Sequence, residues 1–417
     1  MFKRLLRPFV NLDRRVKVAM VSTGIAKFGT QMTSRYDQVY AIDLGANPVD
    51  IGVLNSIGAA FSAVLAVPLG WAVERYSVKR VMLFDLALFA VHLSLFALAG
   101  NWLMLIPAYI LSTKLFRMGP LADIIFVTVT EPRRRGVIMS LSRVVWNILS
   151  IFGPITAALI VSYSGGMSAQ GIRPLYSFQL VSVVSVFLLV AWKLPPTLGR
   201  VDGRQRSGRG WASILKDYRD ALNGEKHLKR WVLLRTIQSF GTSLASPFAV
   251  LWMVEAKGAT PYVIGIMGSA SLILTLALQV PVGRLADRIG RKRIYFVTQP
   301  LSYVATLLVI LAPGPEYLVL AGLLGGVATG ATEGGIVGVG QPLFVTWWWE
   351  SVKEEKRGRF FGIEGLIGLA SIPASVLGGI LWQQGLMVQV LLAPVLLEVF
   401  AVLPLLLTVP DIIHSQQ

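Results

Sequence analysis

Residues 283–292 read GRLADRIGRK and lie between two apolar blocks, at 262–283 and 294–312. Each block has about the twenty residues that an α-helix needs to cross a hydrocarbon core of roughly 30 Å. The stretch between them has four basic residues, one carboxylate and two glycines. This arrangement predicts two membrane-spanning helices joined by a short, positively charged loop.

The same alternation of apolar blocks and charged breaks runs through all 417 residues. The chain is 54% hydrophobic and 15% charged, whereas a soluble globular protein has about 25% charged residues. Helices are expected because backbone polar groups in lipid must be paired within a segment. We therefore predict an all-α polytopic membrane protein with twelve transmembrane helices. They lie near residues 18–41, 52–73, 81–99, 102–128, 137–161, 174–194, 230–254, 262–283, 294–312, 316–346, 359–382 and 387–409.

Lysine and arginine residues set the predicted orientation. Of the 39 such residues, 31 lie in the N-terminal tail and in alternate loops, while the opposite loops contain only Arg173 and Lys257. Positively charged loops stay in the cytoplasm, so both termini are predicted to be cytoplasmic in a multi-pass protein of the cell (plasma) membrane. The net charge of +17 follows from this topology, and no nucleic-acid partner is expected.

The predicted helices divide six and six around the longest loop. We expect an N-terminal six-helix bundle at 1–195, a cytoplasmic linker at 196–229 and a C-terminal six-helix bundle at 230–417. Apolar side chains of the linker share one helical face, which favours an amphipathic helix on the inner membrane surface. They are Trp211, Ile214, Leu215, Tyr218, Ala221 and Leu222. A solvated linker with some helical structure explains the pattern nearly as well.

A degraded copy of residues 283–292 follows the second predicted helix. It reads GWAVERYSVKR over residues 70–80, with Glu74 in the place of Asp287. The complete copy matches every specified position of Gly-x-x-x-Asp-Arg-x-Gly-Arg-Lys, the signature loop of the major facilitator superfamily. The chain also resembles that family in its six-plus-six organisation.

The resemblance implies two bundles that rock about a central site lined by the first, fourth, seventh and tenth helices, in a protein expected to be a monomer. It further implies conformational gating by residues of the two loops. These residues are Gly70, Glu74, Arg75, Gly283, Asp287, Arg288, Gly290 and Arg291. Gly283 would allow close helix packing and Gly290 a tight turn. Asp287 could accept hydrogen bonds from a helix N-terminus or an arginine.

Ionisable and polar side chains inside the spans are the candidate substrate site, because charge in hydrocarbon is costly and usually functional. We expect the substrate to be bound by Lys27, Gln31, Arg35, Lys114, Arg117 and Gln238. Basic groups outnumber carboxylates near the middle of the membrane. This excess favours a small-molecule substrate that is anionic or zwitterionic.

Carboxylates in the spans are the candidate proton carriers. Glu333, in the Gly-rich run 325–340, is predicted to be the proton-coupling residue, with Asp37 as its rival. A permanent ion pair of Glu333 with Lys114 or Arg117 is the alternative. Charged groups nearer the cytoplasm are expected to act in conformational gating, although snorkelling to the interface explains them as well. They are Asp123, Arg143, Arg235 and Glu364.

An enzyme is disfavoured, since the sequence has no cysteine nucleophile and no HExxH metal motif. A primary pump is disfavoured, since the sequence has no GxxxxGK[ST] phosphate loop. We expect a secondary active transporter that exports a small organic molecule by proton-coupled antiport. Residues 153–158, GPITAA, and Arg117 resemble motifs of the family's antiporters for drugs and metabolites. Proton-coupled uptake of an organic anion, and a non-transporting receptor or lipid-handling protein, remain alternatives. Membrane lipids are expected partners, and no cofactor is expected beyond H⁺ as the coupling ion.

Overall fold

The computed structural model describes residues 12–111, 118–131, 134–195, 226–326, 334–350 and 367–408. These residues are almost entirely helical. We number the α-helices in chain order: α1 Arg14–Thr33, α2 Asp37–Asp43, α3 Pro48–Arg75, α4 Val78–Leu98, α5 Leu105–Leu111, α6 Met118–Val129, α7 Arg135–Ser164, α8 Ala169–Lys193, α9 Lys226–Glu255, α10 Pro261–Ile289, α11 Arg291–Leu311, α12 Leu318–Leu324, α13 Gly335–Glu350, α14 Ser371–Gln383, α15 Met387–Leu397 and α16 Leu403–Leu407.

The predicted all-α membrane architecture is confirmed. Eight stretches in the described residues are long and apolar enough to cross a membrane, and each coincides with one of the predicted spans. Two other predicted spans are each built from two helices: α1 with α2, and α12 with α13. In the predicted span 102–128, the described residues form α5 and α6, and residues 112–117 between them are not described. The described part of the remaining span, the eleventh, is α14 preceded by a short 3₁₀ turn.

Local sequence signals explain where several helices begin. The Ser168 hydroxyl accepts a hydrogen bond from the Gly171 N–H at 3.2 Å and caps α8. The Thr260 hydroxyl accepts one from the Val263 N–H at 3.4 Å, and Pro261 occupies the first turn of α10. Such caps satisfy N–H groups that have no partner inside the helix, and proline needs none.

The tenth predicted span is interrupted in its middle, which the continuous prediction over 316–346 did not include. Helix α12 ends at Leu324 and α13 begins at Gly335. Gly325, Gly326 and Gly335 have φ values of +83°, +122° and +72°. Residues that have a Cβ rarely adopt such positive φ values. A Cβ at Gly325 would overlap the carbonyl oxygen of Gly334, so the two ends of the interruption approach closely.

The two halves pack against each other mainly through two pairs of helices. In the α3–α14 pair, the Ser56 hydroxyl donates to the Ile372 carbonyl at 2.5 Å. In the α7–α10 pair, the Ser269 hydroxyl donates to the Ile151 carbonyl at 2.7 Å. Glycine permits the close approach in both pairs, since a Cβ at Gly265 would lie 2.5 Å from the Cβ of Ala158. We call these two interfaces the inter-half contacts.

The inter-half contacts lie mainly toward the end of the molecule that the charge distribution predicts to be outside. The α7–α10 contact extends inward to Asn147 Nδ2 and Gln279 Oε1, which are 3.3 Å apart. One apolar core includes residues of both halves. At the predicted inner end, the C-terminal half has a separate apolar cluster that includes Trp231, Tyr295 and Phe344.

The signature loop has the predicted turn. Gly290 has φ +101° and joins α10 directly to α11. Among the described residues, no heavy atom of another helix lies within 4 Å of a Cβ at Gly283, so the expected close packing of this glycine stays a prediction. The exposed Asp287 carboxylate lies 3.9 Å from Arg291, one turn along the chain. It therefore contacts its own loop.

Two other expectations lie outside what is described. Residues 196–225, which contain the expected amphipathic helix, are not among the described residues. Gly70, Glu74 and Arg75 belong to α3, and their side chains are likewise outside the described part. The degraded loop and the linker helix stay predictions.

Candidate transport site

Only some of the predicted site residues are among the residues that the structure describes. Lys114, Arg117, Glu333 and Glu364 lie outside the described residues. Lys27, Gln31 and Arg35 follow one another at intervals of four residues along the first span, so they share one face of it.

Arg35 lies at the inter-half contact rather than in open space. It occupies the turn between α1 and α2, and only 5% of its surface is exposed. Its Nη1 donates to Gln31 Oε1 at 3.0 Å. A Cβ at Gly268 of α10 would lie 3.0 Å from Arg35 Cζ and 2.8 Å from Pro154 Cβ of α7. The guanidinium therefore reaches from the first span to a helix of the opposite half.

The Asp37 side chain points into the interior of the N-terminal half. Its Oδ1 accepts a hydrogen bond from the Tyr176 hydroxyl of α8 at 2.9 Å. The Tyr176 ring is buried and packs on Phe96 and Tyr40, with ring centroids 4.6 Å and 5.1 Å away. Arg35 and Asp37 are two residues apart, yet the turn between α1 and α2 directs them to different surroundings.

Asp123 and Arg143 form an ion pair between α6 and α7. Arg143 Nη2 donates to Asp123 Oδ2 at 2.7 Å, and the Arg143 guanidinium carbon lies 4.8 Å from the ring centroid of Trp146. The Trp146 indole N–H in turn donates to the Met20 carbonyl of α1 at 3.0 Å. The structure thus brings together two of the residues expected in the inner network, and their gating role stays a prediction.

Gln238 belongs to a polar cluster inside the C-terminal half. Its Nε2 donates to the Tyr295 hydroxyl at 3.0 Å and to both oxygens of Glu398 at 3.3 Å. The Tyr295 hydroxyl donates to Glu398 Oε1 at 2.7 Å. Gln238 and Glu398 border a cavity of about 110 Å³ between α9, α11 and the last span. Its other polar lining residues are Arg235, Thr242, Gln299, Ser302, Tyr303 and Thr306.

The backbone of the last span changes from α-helix to π-helix at Glu398. A π-helical turn, Glu398–Val402, separates α15 from α16. Pro394 and Pro404 lie on either side of Glu398 in the sequence, and neither residue has an N–H to continue the α-helical hydrogen bonds. π-turns inside α-helices occur frequently at functional sites.

Sequence reasoning missed Glu398 and Asp85, although a signal for both was present. Each is the only carboxylate in its predicted span, 387–409 and 81–99. The rule that intramembrane charges are functional candidates applies to them as it does to Glu333. Both are buried, with 6% of Glu398 and 8% of Asp85 exposed.

Several solved transporters have the same fold. The nucleoside transporter NupG, in a mutant form, aligns with a TM-score of 0.69 and 15% identity over 94% of this chain and 100% of its own. A D-xylose-proton symporter gives 0.67 and 12% identity over 95% and 98%. A POT family transporter in complex with 5-aminolevulinic acid gives 0.68 and 10% identity over 96% of each chain.

Comparison of the sequence with family models leads to the same assignment. A comparison with curated proteins found no significant match. The family model of the Major Facilitator Superfamily matches residues 20–236 and again residues 231–415. The two matches correspond closely to the two halves and together cover most of the chain. The protein is therefore a multi-pass membrane transporter rather than an enzyme, and it belongs to the major facilitator superfamily.

Proposed function

We propose that the protein exports a small organic molecule in exchange for protons, by alternating access of a central site. The observation that carries this proposal is the coincidence of charged residues with interruptions in two cavity helices of the family. Arg35 and Asp37 lie at the interruption of the first span. Glu333 directly precedes Gly334 in the sequence of the tenth span, and Gly334 lies just before α13. Interrupted helices at mid-membrane commonly form binding sites in transporters.

An anionic or zwitterionic solute best suits the charges around this site. Lys27 and Arg35 are basic residues of the first span, and Lys114 and Arg117 are basic residues of the fourth. A low-dielectric environment strengthens the attraction of such groups for a carboxylate or phosphate. The solutes named for the solved structures, a nucleoside, D-xylose and 5-aminolevulinic acid, differ widely, and identities of 10–15% transfer none of them.

Coupling to protons rests on Glu333, with Asp37 as the second candidate. Protonation of a carboxylate near the basic residues changes the charge that a bound anion meets. Proton binding and solute binding then become energetically linked, and linkage of this kind is reciprocal. A D-xylose-proton symporter has the same fold, so proton coupling is compatible with it.

Proton-coupled uptake of an organic anion is the second candidate function. The excess of basic groups over carboxylates near mid-membrane favours it, because an anion and a proton can be carried together without a large buried charge. A receptor or lipid-handling role has less support, since the family is one of transporters.

Reconstitution in liposomes tests the proposal and separates the two candidates. Purified protein is offered radiolabelled nucleosides, sugars, amino acids and dipeptides with the lumen either acidic or alkaline. Antiport predicts accumulation of a solute when the lumen is acidic, because protons leave as the solute enters. Uptake with protons predicts accumulation when the exterior is acidic. A protonophore should abolish either signal. Accumulation that ignores the pH gradient would refute proton coupling.

A further inference from the structure

Glu398 is a buried carboxylate near the middle of an apolar span. It lies close to the midpoint of the 21-residue stretch Met387–Leu407, and 6% of its surface is exposed. At about 1.5 Å per residue, more than 10 Å of helix separates it from either end of the stretch. Burial of a carboxylate at this depth is costly, so a residue that serves only packing would be expected to be apolar.

The groups around Glu398 can stabilise its charged form. The Tyr295 hydroxyl and the Gln238 amide donate hydrogen bonds to its oxygens. Arg235, one helical turn before Gln238, lines the same cavity and supplies a positive charge. Hydrogen bonds to a carboxylate and a nearby cation both favour ionisation.

The same groups can also accommodate a neutral Glu398. The Gln238 Oε1 is buried and has no hydrogen-bond partner among the described residues. A half-turn of the amide exchanges Nε2 for Oε1, and the two orientations differ only in their hydrogen-bond network. In the exchanged orientation, Oε1 would accept the proton of a neutral Glu398. The cluster therefore has one arrangement for each protonation state.

The surroundings of Glu398 also provide a route for a proton. Hydroxyl and amide groups of α9 and α11 line the cavity, and the Tyr303 hydroxyl is buried without a hydrogen-bond partner in the described part of the chain. A polar cavity of this size can hold water that bridges such groups. Among the described residues, the charged and titratable groups facing Glu398 are Arg235 from α9 and Tyr295 and Tyr303 from α11. The last span has no other such residue, and α14 has none.

The cluster is positioned to influence the cavity helices. The Arg235 guanidinium carbon lies 5.8 Å from the ring centroid of Phe344 on α13, the inner part of the tenth span. Arg235 thus borders both the Glu398 cavity and the interrupted helix. Loss of the negative charge on Glu398 would leave the Arg235 charge less compensated and strengthen its attraction for an anion.

We propose that Glu398 is an intramembrane proton-binding residue, which takes up and releases a proton through the polar cavity as Gln238 changes orientation. Its participation in coupling rests on the proposed function, whereas its proton exchange does not. The residue would act together with Glu333 as a proton site of the C-terminal half.

Infrared difference spectroscopy tests proton exchange without a known substrate. Infrared spectra of the protein in lipid membranes are recorded in acidic and in alkaline buffer, and one spectrum is subtracted from the other. The C=O band of a protonated carboxyl group should be present at low pH and disappear as pH rises. Glu398→Gln should lose this component, whereas Glu316→Gln, which alters an exposed carboxylate at a loop, should retain it. Tyr295→Phe should keep the band and move its midpoint about one unit toward higher pH, because a donor to the charged form is lost.

The liposome assay supplies the second readout. Glu398→Gln should reduce pH-driven accumulation at least tenfold while solute exchange continues. A full carboxyl band in Glu398→Gln overturns the proposal, even if the native protein couples transport to protons. If Glu398→Gln fails to fold, an unchanged midpoint in Tyr295→Phe overturns it instead. A band lost in Glu398→Gln, with no solute responding to a pH gradient in the native protein, refutes the proposed coupling and leaves Glu398 as a proton-binding residue.

Discussion

At the scale of single residues, Arg35 and Asp37 have different surroundings although they are near neighbours. Arg35 lies at the inter-half contact, and Asp37 accepts a hydrogen bond from Tyr176 inside its own half. On one continuous helix, residues two positions apart are separated by about 200° around the axis, so helical periodicity alone would place them on nearly opposite faces. The chain also has a turn at residues 34–36. Periodicity therefore predicts that the two residues differ in surroundings, whereas the partner of each, Gly268 on α10 and Tyr176 on α8, depends on tertiary packing that the sequence pattern could not reveal.

Glu333→Gln is the most direct test of a single residue in the proposed mechanism. Glutamine is close in shape to glutamate but cannot carry a proton, so pH-driven accumulation in liposomes should be abolished. Exchange of labelled for unlabelled solute should continue, because it moves no net proton. Glu316→Gln, at an exposed position, is the matched control and should behave as the native protein. Retention of full pH dependence in Glu333→Gln would exclude Glu333 and make Asp37 the next candidate.

At the scale of helices, the sequence predicted the spans and missed their interruptions. Apolar runs of about twenty residues are an unambiguous signal, because only such runs can cross the hydrocarbon core. The run 316–346 is apolar and rich in glycine throughout, so hydropathy marks no break in it. The break depends on the positive φ values of Gly325, Gly326 and Gly335, and glycine occurs as readily in continuous membrane helices. The π-turn at Glu398 is likewise invisible to hydropathy.

The interruption of the tenth span should depend on glycine at its first position. Gly325→Ala forces a Cβ into a conformation with φ +83° and against the Gly334 carbonyl oxygen. The backbone penalty alone is about 1–2 kcal/mol, so thermal unfolding in detergent should occur at clearly lower temperature. Gly283→Ala is the control, because Gly283 is within α10 and no described atom lies within 4 Å of its Cβ position. This variant should be neutral or slightly stabilising. Equal melting temperatures for the two variants would mean that the interruption is not a rigid feature.

At the scale of the whole molecule, the inter-half contacts are separate from the signature loop. Both contacts use small residues that let backbones approach, which is how helices associate in membranes without a hydrophobic driving force. The signature loop lies at the far end of α10, with Asp287 exposed. Contacts that lie mainly toward one end of the described molecule suit two halves that rock against each other. Under the predicted topology, that end is the outer one.

A wedge in one inter-half contact should open the other. Gly265→Leu places a side chain where a Cβ would already lie 2.5 Å from the Cβ of Ala158, so it should separate α7 from α10. The probe is Ser56→Cys in α3, at a position that is 6% exposed and whose hydroxyl donates to the Ile372 carbonyl across the other contact, and the native chain has no cysteine. If the halves move as rigid bodies, an impermeant thiol reagent added outside should label position 56 at least tenfold faster with the wedge. Gly136→Leu, at a glycine with no described atom within 4 Å of its Cβ position, should leave the rate unchanged. Unaltered labelling in Gly265→Leu would show that the contacts open independently, and labelling only from the inside would reverse the predicted topology.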